Sequence, residues 1–149
     1  KNPLTRAFRI DKLTLAALEA TLREYMDPQQ ALQNNPTLRM ITAKMDTLEP
    51  KGRQLLACME QVCDGSFSVQ LTEDFGQVGG GSVPTQMIRS SVVAVEPKRV
   101  SLDLLEKRLR ELSLPIIARI SKERLLLDVR TIEEHHFSYV AQSIKDCCQ

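Results

Sequence analysis

The side chains best suited to chemistry stand near the start of the chain. Arg6 and Arg9 lie in the stretch TRAFRIDK, just ahead of a long amphipathic run. At a helical spacing of three, their guanidiniums share one face. Two planar, permanently charged forks side by side can clamp a phosphate-like oxyanion; the same spacing also suits two solvated basic residues. A second stretch, QVGGGSVP from Gln77 to Pro84, gathers Gly79, Gly80, Gly81 and Ser82 in a chain with only 6 glycines. Consecutive glycines can present several backbone N–H groups to an anion. No Gly-Lys-Ser/Thr follows them and the GxGxxG spacing is missing, so neither phosphate-binding fingerprint is present. The alternative is a plain loop between strands. The third candidate is Arg119, inside the apolar run IIARIS. A charge there must be paired or face water, so it reads either as a contact for a carboxylate or phosphate or as an Arg on the wet face of a sheet. Arg124, Asp128 and Arg130 follow at matching strand parity and could form cross-strand ion pairs.

The remaining reactive types form no set. Cys58 and Cys63 are separated by four residues, and Cys147 and Cys148 are adjacent. Neither is a zinc spacing, and reduced thiols are expected. His135 and His136 are neighbours on an expected helix, where successive side chains point in different directions, and read as surface or boundary residues rather than metal ligands. No nucleophile, base and acid combine, so no catalytic residue and no metal site is expected.

The elements that must position these groups follow from periodicity. Asp11 is a plausible N-cap for a helix from Lys12 to about Met26, with Leu15, Leu18, Leu22 and Tyr25 on one stripe. Asp27-Pro28 restarts a short helix that Asn34-Asn35-Pro36 ends. A second long helix is expected from about Thr47 to Val62, weakened locally by Gly52. Phe67, Val69 and Leu71 then alternate as in a half-buried strand, and Ile88 to Val95 reads as the next one. Ser101 to Leu112 reads as an amphipathic helix, PIIARI and RLLLDVRTI as two strands, and Thr131 with Glu134 as the capping box of a last helix.

The expected class is α+β: a small, mostly antiparallel sheet with helices on one face, preceded by a long connector helix. Residues 1–46 read as connector and linker, and residues 47–149 as a small α+β domain. The formal net charge of +1 supplies no field that would favour nucleic acid or a membrane. No apolar run approaches the roughly 18 residues of a membrane span. The chain begins at Lys1 rather than Met, and a fragment or processed product is expected.

TRAFRIDKLTLAALEATLREYMDP, NPTLRMIT, QVGGGSVP, PIIARI and RLLLDVRTI, taken in order, resemble the C-terminal part of bacterial selenocysteine synthases, the L-seryl-tRNA(Sec) selenium transferases. The resemblance spans essentially the whole chain. It implies the C-terminal domain of a pyridoxal-phosphate (PLP) enzyme of the aspartate-aminotransferase type. It also implies a cytoplasmic homo-oligomer. Its substrates would be seryl-tRNA(Sec), taken through an aminoacrylyl intermediate, and selenophosphate as selenium donor. PLP would act as electron sink, held by a lysine in a Ser-Gly-Asp-Lys-type motif. That motif would lie upstream of Lys1, so the chain alone is expected to be inactive. Arg6 and Arg9 match the family's RAxR pair, implicated in holding the selenophosphate-like anion. Arg119 matches its Ile-Gly-Arg-Ile strand, with Ala118 where glycine is usual. Ser121-Lys122-Glu123 replaces an Asp-Gly hairpin, so a longer or looser turn is expected there. Two alternatives stand beside this reading. One is a fragment of a related PLP-dependent lyase acting on a small phosphorylated amino compound. The other is a non-catalytic assembly module.

Overall fold

The computed structural model describes residue 4 and residues 8–77 and 87–149. The chain divides into two compact units, Lys1–Thr42 and Ala43–Gln149.

In the first unit, helix α1 runs Lys12–Glu24. The Asp11 carboxylate starts it, accepting the backbone N–H groups of Leu13 and Thr14, both at 2.9 Å. Helix α2 runs Pro28–Asn34, with Asp27 as cap and proline at the first position. The same device then repeats. Asn35 Oδ1 accepts from Thr37 and Leu38 and opens α3, Pro36–Thr42, so Asn34-Asn35-Pro36 ends one helix only to start another. Leu15, Leu18 and Leu22 of the α1 stripe are each about half exposed.

The second unit opens with α4, Met45–Val62, two residues earlier than the sequence predicts. Strands β1 (Phe67–Gln77) and β2 (Met87–Pro97) pair antiparallel from Phe67–Pro97 to Gln77–Met87. Helix α5, Leu102–Arg110, starts at the Ser101 hydroxyl. Then come β3 (Arg119–Ser121), β4 (Arg124–Asp128), a 3-10 turn (Glu134–His136) and α6 (Phe137–Cys147). The described residues thus form an α+β fold with six helices and one four-stranded antiparallel sheet of order β1-β2-β4-β3.

Alternation decides which face is covered. Val93, Val95, Leu125 and Leu127 point to the helices and join Leu55, Met59, Leu105 and Ile144 in the main core. Gly52 lies at the closest approach of α4 to the sheet. A Cβ there would stand 2.5 Å from Ser91 Oγ and 2.7 Å from a Leu71 methyl group. The residue expected to weaken the helix is the one that lets it seat. Val92, Ala94 and Leu126 form a small separate cluster on the opposite face.

Several expected boundaries move, each for a local reason. The strand predicted over IIARI shrinks to Arg119–Ser121 because Pro115 has no N–H and the Ile116 N–H goes to Leu109 O at the end of α5 (2.9 Å). The strand predicted to reach Ile132 stops at Asp128, whose side chain accepts the Arg130 N–H and turns the chain. The β3–β4 turn is tight, not long: Ser121 pairs with Arg124, and Lys122 and Glu123 take left-handed φ values of 50° and 58°. The strands fix a two-residue turn, and two L-residues absorb it. The Thr131–Glu134 capping box does not form; the Thr131 hydroxyl donates to Asp128 O. His135 and His136 do not diverge. In the 3-10 turn their ring centroids are 4.0 Å apart.

Candidate functional site

The strands bring one group of predicted residues together on the sheet face that the helices leave uncovered. Arg119 projects there from β3, opposite Leu126. Its Nη2 donates to Asp74 Oδ2 at 2.6 Å and its Nη1 to the Phe75 carbonyl at 3.2 Å, both on β1. Asp128 accepts from the Ser90 hydroxyl at 2.5 Å. Arg130 reaches two backbone carbonyls, Ala43 O at 3.0 Å and Arg89 O at 2.5 Å. Burial lowers its pKa, partly offset by Asp128, but a guanidinium stays protonated. Arg124 Nη1 donates to Gln70 Oε1 at 3.4 Å. The cross-strand arginines therefore bind carbonyls and an amide as well as carboxylates.

Asp74, Phe75, Gly76, Met87, Arg119 and Asp128 line a cleft of about 500 Å³. It carries two carboxylates and one guanidinium, so its fixed charge is negative apart from what a ligand brings. Asp74 and Ser90 were invisible to sequence reasoning. The partner of Asp74 lies 45 residues further on, and no local spacing records such a pair.

The other candidates are placed as follows. Arg9 is exposed on the non-helical stretch two residues before the Asp11 cap, so it is not part of α1. Arg6, Gly79, Gly80, Gly81 and Ser82 lie outside the described residues. Cys147 and Cys148 are buried, and Cys58 and Cys63 half-buried, all as free thiols. Burial pushes the Cys148 thiol up to about 11 and the Cys147 thiol up as well. No described lysine is buried. A Schiff-base lysine works by desolvation in a closed pocket, a burial that no described lysine has. No helix among the described residues is long and apolar enough to cross a membrane.

A model of the L-seryl-tRNA selenium transferase family matches residues 1–133. Curated relatives named L-seryl-tRNA(Sec) selenium transferase align along most of the chain. The Alkaliphilus metalliredigens protein is 42% identical over 145 residues, which is 97% of this chain and 31% of that protein. The Desulfotalea psychrophila protein is 44% identical over 134 residues, 90% and 29% respectively. The Clostridium botulinum protein is 41% identical over 145 residues, 97% and 31% respectively. The chain thus spans about a third of the length of the relatives it matches. With the family match covering nearly nine-tenths of its residues, this chain belongs to the L-seryl-tRNA selenium transferase family.

Proposed function

We propose that this chain is the C-terminal α+β domain of a cytoplasmic, homo-oligomeric enzyme that converts seryl-tRNA(Sec) to selenocysteinyl-tRNA(Sec). One observation carries the reading: 42% identity over 97% of the chain to a relative bearing that activity's name. The serine hydroxyl would leave, selenium from selenophosphate would join the same carbon, and phosphate would be released. PLP would supply the electron sink for the loss of the hydroxyl. It would be held by a part of the family-length protein outside these 149 residues, in an aspartate-aminotransferase-type fold.

The chain's own contribution is charge and placement. Arg6 and Arg9 would grip the selenium-bearing anion. Permanently protonated forks suit a ligand that keeps several negative charges at neutral pH. The exposure of Arg9 ahead of the Asp11 cap leaves its guanidinium accessible for that task. Arg119 is the third candidate anion contact, and a ligand oxyanion reaching it meets Asp74 already in place. Gly79, Gly80, Gly81 and Ser82 would offer backbone N–H groups to an anion.

The test is a single-turnover reaction of the family-length protein with Ser-tRNA(Sec) and selenophosphate. Arg9→Ala and Arg6→Ala should each slow selenium incorporation about 10- to 100-fold, the worth of a hydrogen bond to a charged group. Loss of the serine hydroxyl should be affected less. Equal loss in both steps would assign the pair to tRNA or cofactor binding instead.

A further inference from the structure

Among the described residues, the outer part of the β1–β2 hairpin has no strand neighbour to either side beyond one backbone bond at its base, Val129 N–H to Ser91 O at 3.3 Å. Residues 73–77 pair with 87–91, whereas the ladder between β2 and β4 begins only at Val92–Asp128. Among the described residues this arm is a two-stranded ribbon, and such a ribbon alone is marginally stable in water. Something must hold it. The Arg89–Glu73 pair at 2.7 Å ties its two strands to each other but not to the sheet.

Three side chains from beyond the arm grip it. Asp128 takes the Ser90 hydroxyl, Arg130 reaches Arg89 O, and Arg119 takes both the Asp74 carboxylate and the Phe75 carbonyl. The Arg119 contact is the most telling, because β3 and β1 are the two outermost strands of the order β1-β2-β4-β3. Side chains on opposite edges of a flat sheet cannot meet, with three strand spacings of nearly 5 Å between them. They meet here, so the ribbon turns across the uncovered face; a two-stranded ribbon twists more than strands inside a sheet do. Arg119 then needs a long stem and a fork that serves two acceptors one residue apart, which arginine has and lysine lacks.

We propose that Arg119 is a positioning residue that clasps the outer hairpin arm through Asp74 and the Phe75 carbonyl, and so fixes the ends of β1 and β2 at Gln77 and Met87. This role does not depend on the reaction proposed above. The half-exposed Arg119 guanidinium is thereby matched by Asp74.

Amide hydrogen exchange of the ¹⁵N-labelled 149-residue chain tests it. Arg119→Met and Asp74→Asn should each speed exchange within residues 73–77 and 87–91 about tenfold, while Val93, Val95, Leu125 and Leu127 stay within about twofold. The double variant should be no faster than Arg119→Met alone, because both changes remove one contact. Arg119→Lys should restore part of the protection. Unchanged arm exchange in Arg119→Met overturns the clasp, as does acceleration of the core amides to the same extent. An inorganic phosphate titration separates this claim from the anion reading. If phosphate shifts the Arg119 side-chain resonance while Arg119→Met leaves the arm protected, the clasp fails and the anion contact survives.

Discussion

At the residue scale, two positions make sharp predictions. The Cys148 thiol is buried and raised from 9.0 to about 11, first by desolvation and then by the neighbouring Cys147 and Asp64. The folded state holds its proton where the unfolded chain loses it. Stability from this group is therefore intact below pH 9 and is lost as pH rises towards about 11. Urea unfolding at several alkaline pH values should show that decline, and Cys148→Ala should remove its share. At Gly52 two effects compete. Alanine gains about 1 kcal/mol of helix propensity but meets Ser91 and Leu71, whose side-chain ends can move, so Gly52→Ala should change stability by no more than about 1 kcal/mol. Valine adds bulk that those ends cannot clear, and Gly52→Val should cost about 1–3 kcal/mol in thermal unfolding. The sequence marks Gly52 only as a poor helix former. Its close approach to Ser91 is a tertiary fact that helix periodicity does not encode.

At the scale of elements, caps and alternation were legible because their causes are local. Asp11 and Asp27 each cap the helix that their position announces, and Ser101, expected as the first residue of its helix, is its cap. Phe67, Val69 and Leu71 fall on the strand that their alternation predicts. The ends of β3 and β4 were not legible, because contacts decide them: Ile116 with Leu109, and Asp128 with Arg130. The Lys122–Glu123 turn was misjudged for a related reason. Residue type disfavours a tight turn there, yet the Ser121–Arg124 pairing enforces one. Left-handed backbone disfavours L-residues by roughly 1–2 kcal/mol each. Replacing Lys122-Glu123 by Asn-Gly should therefore raise the melting temperature by about 3 °C, after allowance for the entropy glycine adds to the unfolded chain. No rise would mean that the turn is not strained. Helix α1 carries the other element-level prediction. Its half-exposed stripe of Leu15, Leu18 and Leu22 should drive self-association of the chain. Leu18→Glu with Leu22→Glu should reduce the sedimenting mass at high concentration.

At the scale of the whole molecule, composition and periodicity reached the α+β class but no activity. The arginine contacts that bridge the sheet link residues more than 40 apart, beyond the reach of any local spacing. The family becomes legible through similarity along nearly the whole chain, which the family model and three relatives share. On the proposed function, this chain belongs to such an enzyme without a buried lysine among its described residues. It would supply anion contacts and a placed hairpin arm rather than the bond-breaking group. The most direct measurement is selenium transfer in a single turnover, with the family-length protein and the 149-residue chain run side by side on Ser-tRNA(Sec) and selenophosphate. The account predicts selenocysteinyl-tRNA(Sec) from the family-length protein and none from the chain alone. Transfer by the chain alone, or no transfer by the family-length protein, would contradict it.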